Sequence, residues 1–477
     1  MKTPILGSTY VTRSINAANN RMVNLFPEIV PEGGKEPAFL NRAPGLRLLA
    51  TVGSGPIREL STFGGIGYVA SGNELYSIDT GYTATLLGTI SGSPISVSMA
   101  DNGTQLFVAC NGPSYIYNAS TAVFAQITDS DFAGAVTVGY LDGFFVFNQP
   151  NSQIAWVTTL LDGTSVDPLD FSGIAGSPDK LVGLFVDHQE AWFFGSNSIE
   201  VYYNAGLTDF PLAPIQGVYI EFGCAAAYSI VKMDNGLFWL GADDRGQGIV
   251  YRSSGYSGER ISTHAVEWQI QQYGDLSGTI GYTYQQDGHS FYVLIFPSAD
   301  ATWVYDISTE AWHERAGFRG GVFTRHQSNC QMAFNNEIIV GDADNGNIYA
   351  FDLDVYADNG DIQKWLRSWR ALPPGANDLK RKAHHSVQLD CETGVGLVTG
   401  QGSDPQVMLR WSDDGGHNWS NEHWKSMGAL GEFKHRTFWR RLGMTTKLRD
   451  RVYEISGTDP IKIAIMGAEL SASETDG

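Results

Sequence analysis

The stretch Glu190–Gly206, EAWFFGSNSIEVYYNAG, restricts the fold of this chain more than any other. A short apolar strand runs into a Gly-containing turn, and a second strand ending in aromatics closes on an Asn. Variants recur at Gly67–Asp79, Gln105–Asn118, Gly143–Val157, Gly236–Arg252, His289–Asp306 and Asn336–Asp352. Placing each first strand at Tyr68, Phe107, Phe145, Trp192, Phe238, Tyr292 and Ile338 gives steps of 39, 38, 47, 46, 54 and 46 residues. Strand–turn–strand occurs in any hairpin, but seven tandem copies at this period are the mark of a β-propeller. Apolar runs at Ile95–Met99, Ala135–Tyr140, Leu181–Val186 and Ala226–Lys232 supply inner strands, so each unit has about four. A blade cannot bury both faces alone, and ring closure removes exposed sheet edges. The reading is an all-β chain with a six- or seven-bladed β-propeller at 55–360. Insertions are expected at Leu160–Ser177 and Ser254–Ser277, where the spacing is irregular.

Outside the repeats, residues 1–54 read as an extended N-terminal arm that packs on the propeller or a neighbour. Its apolar anchors Val23, Leu25 and Phe26 argue against a disordered leader. Asp361–Ala371 is compatible with a helix or a strand, and its W-L-R-S-W-R alternation within a β chain favours a strand. Alternating runs at His384–Leu389, Val407–Trp411, Trp439–Met444 and Lys462–Met466 then predict a C-terminal β-sandwich-like domain over 361–477.

The 55 glycines, 24 Phe, 21 Tyr and 12 Trp suit many short strands joined by tight turns. No run of 18 apolar residues suggests a membrane span, and the N-terminus lacks a signal-peptide pattern, so synthesis in a cytosol is expected. Cys110, Cys224, Cys330 and Cys391 form no CxxC, which excludes a zinc ribbon and favours buried thiols. The net charge of −20 is uneven: residues 1–360 carry 15 basic and 36 acidic residues, and residues 361–477 carry 16 and 15. Such an acidic body repels nucleic acid. It also repels its own copies, so the chain is expected to stay monomeric until a template supplies contacts.

Ser412–Trp419, SDDGGHNW, fits the S-x-D-x-G-x-x-W Asp box, which resembles hairpin turns of sialidases and related propellers. Ser412 and Asp414 can bond turn backbone, Gly416 can take an unusual φ and Trp419 can plug the hairpin base; the motif is structural. A sialidase-like glycosidase or carbohydrate-binding propeller is the alternative function. It needs paired carboxylates, for which Asp162, Asp167, Asp170, Asp187, Glu190, Asp243 and Asp244 are candidates, and an arginine cluster. Residues 55–360 hold only seven arginines, and no triad can be assembled from them. His384 and His385 point to opposite sides of a strand, poor for a shared ion. The run from Asp342 to Asn347 resembles a calcium loop in part, but its Gly is misplaced and the bidentate acid is missing. No catalytic residue, cofactor site or metal site is therefore assigned. One basic segment remains: Lys434, Arg436, Arg440, Arg441, Lys447, Arg449 and Arg451 fall within eighteen residues, interleaved with Phe433, Phe438, Trp439 and Leu442. It is a candidate interface for an acidic partner, and the acidic body of a neighbouring copy is one such partner.

Taken in order, the arm with NNRMVNLFPE and PGL, the hairpins FFGSNSIEVYYNAG and FYVLIFPSADATWVYDISTEAWHE, and the closing LRWSDDGGHNWS and KHRTFWRRLGMTTKLRDRVYEI form a pattern. Over nearly the full length it resembles the packaged-DNA stabilisation proteins, or tail hub proteins, of short-tailed bacteriophages. The resemblance implies a non-enzymatic virion protein of the tail, assembled as a homo-hexameric ring beneath the portal and its adaptor ring. It implies closure of the head, retention of packaged DNA, and a lumen through which DNA is ejected without specific binding. It also implies attachment sites for the tail needle and for tailspikes or fibres.

Overall fold

The computed structural model describes the chain except residues 93–95, 175, 177, 244–245, 377–378, 447–449 and 476–477. Ile95, Ser177, Asp244, Lys447 and Arg449 of the sequence reading thus lie outside the described residues. Seven blades with antiparallel pairing make up the propeller among the described residues, each of four strands except blade 5, where Gly223–Cys224 adds a fifth. Blades 1 to 4 begin at Ile57–Phe63, Ser98–Asp101, Val138–Leu141 and Leu181–Asp187. Blade 5 follows with Val231–Met233 beside Gly236–Asp243, blade 6 begins at Ile280–Gln286 and blade 7 at Ser328–Phe334. All seven anchors, from Tyr68 to Ile338, fall in the second strand of a blade. That strand is sealed by stacking on both faces, as in Gln105–Ala109, where every residue is buried. The apolar run in each hairpin follows from this double burial.

Each range of irregular spacing holds the outer strand of a blade together with extra chain: Phe171–Gly173 closes blade 3, and Ser257–Arg260 closes blade 5. Within the second range the extra chain forms a helix, His264–Gln271, which accounts for the long step of 54 residues. Thr263 caps it by accepting from the Val266 N–H, and Val266 and Ile270 turn one face into the core.

Ring closure is non-local. The outer strand of blade 7 is Gly45–Thr51, from the N-terminal arm, paired antiparallel with Asn347–Asp352. Blades 7 and 1 meet closely: a Cβ at Gly341 would lie 2.3 Å from Ile57. The first strands of all seven blades line a central cavity of about 310 Å³. That is room for roughly ten waters at about 30 Å³ each, and far too little for a nucleic acid duplex.

The arm divides between the two halves of the molecule: Gly45–Thr51 lies on the propeller, and the three strands just before it lie in the sandwich. Leu25–Ile29 and Ala38–Arg42 join Ala464–Glu474, Lys382–Cys391 and Thr437–Arg440 in one five-stranded sheet. Met22–Val23 joins Trp365–Arg370, Val452–Gly457, Gln406–Ser412 and His423–Ser426 in a second. These two sheets form the sandwich around Trp365, Trp369, Trp439 and Tyr453, with Ile5, Met22, Leu25 and Leu40 of the arm in the same core. Sequence distance between the partners hides this pairing; burial of both apolar surfaces drives it.

Val23 pairs with Leu366 of the sandwich on one side and Glu314 of blade 6 on the other, so one sheet runs from blade 6 into the sandwich. Buried Asn24, at φ 53°, donates to the Ala316 and Lys364 carbonyls and accepts from the Ala316 N–H. Buried Arg42 donates to the Gln363 side chain and to the carbonyls of Gln363, Tyr356, Asp459 and Ile461. Paired backbone and satisfied buried polar groups make this a stiff joint rather than a linker.

Candidate functional site

The basic segment lies at the far edge of the sandwich. Thr437–Arg440 is the edge strand of its sheet, with Val387 opposite Trp439 and Ser386 opposite Arg440. Alternation along the strand sends Thr437 and Trp439 inward, and Phe438 and Arg440 outward. Trp439 is core: its indole N–H donates to the His423 carbonyl at 2.7 Å. Arg440 and Arg436 bracket the Phe438 ring, their guanidinium carbons 4.8 and 5.8 Å from its centroid. Such cation–π contact holds both charges in place while leaving them exposed. Arg441 takes φ 60° and ends the strand, and its N–H donates to the His385 carbonyl. Lys434, Arg436, Arg440 and Arg441 therefore share one exposed rim. Open grooves of about 720 and 690 Å³ flank Arg440 and Arg441, the first floored by His384 and Met444, the second by His423 and Trp424.

Two of the predicted interface residues are not at the surface. Trp439 is buried as described, and Arg451 is buried with its guanidinium bidentate on Asp413, at 2.6 and 2.9 Å. Arg451 also donates to the Leu442 carbonyl, which ties the Asp-box turn to the loop after the edge strand. Burial opposes its charge, but hydrogen bonding to Asp413 leaves its pKa raised. The alternation rule places Trp439; nothing local in the sequence marks Arg451 as interior. Beside Phe433 and Phe438, the rim exposes Leu430 and Trp424, which the spacing of the basic segment does not bring in. Phe433 is 74% exposed, Leu430 58% and Trp424 55%, and such a cluster beside cations is unusual for bare surface.

The Asp box behaves as a turn. Ser412 Oγ donates to Asp414 and accepts from the Gly416 N–H; Asp414 accepts from the N–H and side chain of Asn418. These bonds hold the Asp414 carboxyl well below the usual carboxylate range. Gly416 has φ 111°, and Trp419 is half-buried under Arg410. The turn also carries the arm, since Asn19 donates to the Gly415 carbonyl.

Other candidates are absorbed structurally. His384 is buried against the Tyr453 hydroxyl, and burial lowers its pKa to about 3; His385 faces out to Ser473. Asp342 accepts from the Asp344 and Asn345 N–H groups and from the Tyr349 hydroxyl, so its loop is a tied turn. Asp187 is paired with Lys232, Asp162 caps its own turn at Thr164, and Glu190 accepts from Tyr256. Glu59 lines the central cavity, half-buried, and desolvation there raises its pKa to about 8. No cluster of metal-ligating side chains occurs among the described residues.

With this geometry in hand, the comparisons are informative at one level. A family model described as bacteriophage P22 Gp10, beta-propeller, matches residues 1–356, and one described as bacteriophage P22 Gp10, beta-sandwich, matches residues 365–473. No curated protein matches the chain. Among solved structures it is similar to the N-terminal domain of Nup159, at 9% identity over 68% of this chain and 97% of that one, with a TM-score of 0.40. A streptogramin B lyase matches at 11% identity over 69% and 98%, with a TM-score of 0.42. The extracellular domain of a putative hybrid two-component system from B. thetaiotaomicron matches at 10% over 86% and 58%, with a TM-score of 0.44. These structural likenesses carry nothing about the site.

Proposed function

This chain belongs to the bacteriophage P22 Gp10 family, structural proteins of the phage tail, and from that premise we propose that it is the tail hub that closes the head below the portal and its adaptor ring. Six copies form the ring, retain the packaged DNA, continue the ejection channel, and offer attachment sites to the tail needle and to tailspikes or fibres. The observation that carries this reading is the match of both halves of the chain, in order, to one family. Two physical features support it. The joint through Val23, Asn24 and Arg42 fixes the sandwich to the propeller, as a component bearing internal DNA pressure requires. The narrow cavity at the propeller axis, about 310 Å³, also favours a DNA path between copies rather than through one copy.

The acidic balance of residues 1–360 suits a channel wall, since each phosphate contact adds affinity that ejection must break. Lys434, Arg436, Arg440 and Arg441 are the partner-facing cations in this reading, with Trp439 and Arg451 supporting them from inside. Disrupting the gene in its phage is the direct test. Particles are expected to package DNA and then lose it, scored as nuclease-accessible DNA, and purified chain is expected to restore retention. Full DNA retention in particles lacking the chain overturns the reading.

A further inference from the structure

The charge of this molecule is not only uneven but polar. From Glu59 to Asp179 the sequence contains no Lys or Arg, so in blades 1 to 3 the buried Arg58, in the first strand of blade 1, is the sole basic side chain against many acids. On the rim of blade 3 these acids gather. The Asp170 carboxyl is raised by burial and by its neighbours Asp167 and Asp209. Asp129 accepts from the Asp131 and Val166 N–H groups, which brings the blade 2 loop to the same place. Asp131, Asp167 and Asp209 are exposed, and so are Leu169 (63%) and Leu161 (62%) beside them.

The sandwich rim has the converse character: cations held on Phe438, with Phe433, Leu430 and Trp424 exposed around them. The two rims cannot meet within one chain. The sandwich joins the propeller through blades 6 and 7, and blade 3 is diametrically across a seven-membered ring from that joint. The edge strand Thr437–Arg440 is four strands away from the arm strand at the other edge of its sheet, about 19 Å at ~4.8 Å per strand. Complementary charge and apolar surface at opposite ends of one body are the requirement for a heterologous, head-to-tail contact.

We propose that the sandwich rim bearing Arg436, Arg440 and Arg441 docks on the blade 3 rim around Asp131, Asp167 and Asp209 of a second copy of this chain. This rests on the hub reading and gives its ring a specific contact, with a basic tip following an acidic flank around the circle. Because the contact is not self-complementary, every copy uses both surfaces, and closure depends on the angle between successive copies.

The test is a charge exchange in the full chain. One variant carries Arg436→Glu, Arg440→Glu and Arg441→Glu; the other carries Asp131→Lys, Asp167→Lys and Asp209→Lys. All six positions are exposed, and circular dichroism confirms folding before use. Net charge alone favours a monomer without a template, but the paired rims oppose it: sedimentation velocity at about 50 mM salt is expected to show self-association of the wild type, weakened at least ~100-fold in either variant alone. Mixing the two variants is expected to restore association, because each contact then pairs unlike rims. A wild type that stays monomeric at all concentrations, variants that associate like wild type, or a mixture no better than its components each overturn the contact. So does a wild type whose arginine rim retards duplex DNA and loses that binding in the arginine variant. Purified chain that restores DNA retention to particles while failing the exchange leaves the hub reading standing and removes only this interface.

Discussion

Arg451 and Asp413 show how far a residue's role can lie from its sequence context. In sequence Arg451 sits among basic neighbours, yet its side chain is interior and its charge is satisfied by one carboxylate and by main-chain carbonyls. Removing the partner leaves a buried cation uncompensated, which typically costs about 3–5 kcal/mol. Asp413→Ala is therefore expected to lower stability by about 3 kcal/mol in urea unfolding, and the double variant Asp413→Ala with Arg451→Met to recover most of it. Equal losses in the single and double variants would sink this account. His313 makes a second residue-scale case. It is buried between the rings of Phe26 and Phe291, neither ring nitrogen has a hydrogen-bond partner, and burial lowers its pKa to about 3. A histidine depressed in the folded state contributes stability above its unfolded pKa near 6.5 and loses it as pH falls towards 3. His313→Phe should thus gain on the wild type through that window, by up to about 1.4 kcal/mol per pH unit. Parallel pH–stability curves would refute it. The sequence announced neither residue, because an imidazole or guanidinium becomes interior only through partners far along the chain. The Asp box is the opposite case: its bonds close within eight residues, so spacing alone revealed them.

Elements were legible to the extent that their partners are near in sequence. Each hairpin anchor from Tyr68 to Ile338 found its blade, since strands two and three of a blade pair across short turns. The strands of the arm could not be read this way. Ala38–Arg42, itself paired with Leu25–Ile29, lies beside Ala464–Glu474, more than 400 residues on, and no local periodicity encodes that choice. Residues 361–477 then look like a domain while lacking three of their ten strands. The isolated segment 361–477 exposes the apolar surface that Met22, Leu25 and Leu40 cover, and it should show no cooperative thermal transition. Fusing residues 1–44 to its N-terminus through a flexible linker is expected to restore one, visible by circular dichroism and by slowed amide exchange in Val452–Gly457. A sharp transition from 361–477 alone would show the arm to be dispensable. The helix His264–Gln271 escaped notice for another reason: eight residues between strands offer two turns of pattern, too few to outweigh the β context.

For the whole molecule, the same charge distribution pulls in two directions, and salt separates them. A net charge of −20, concentrated in residues 1–360, repels itself within one chain. Local pairs such as Arg47 with Glu337 and Asp352 or Arg252 with Asp234 relieve part of it, but acids outnumber bases there by 36 to 15. Raising ionic strength from about 10 to about 150 mM shortens the screening length from ~30 to ~8 Å, so this repulsion weakens and the folded monomer gains stability. The contact between rims works with unlike charges, and the same screening weakens it. Calorimetry on dilute chain is therefore expected to give a Tm that rises by a few degrees over this range, roughly 1–2 kcal/mol for a chain this size, while association falls. The opposite signs are the informative part. A protein held together mainly by its surface ion pairs would lose Tm as salt rises, and one without polarity would show no coupled change in association. A Tm that falls with salt would mean that the ion pairs outweigh the repulsion, and the acidic flank would then be a stabilising network rather than a surface waiting for a basic partner.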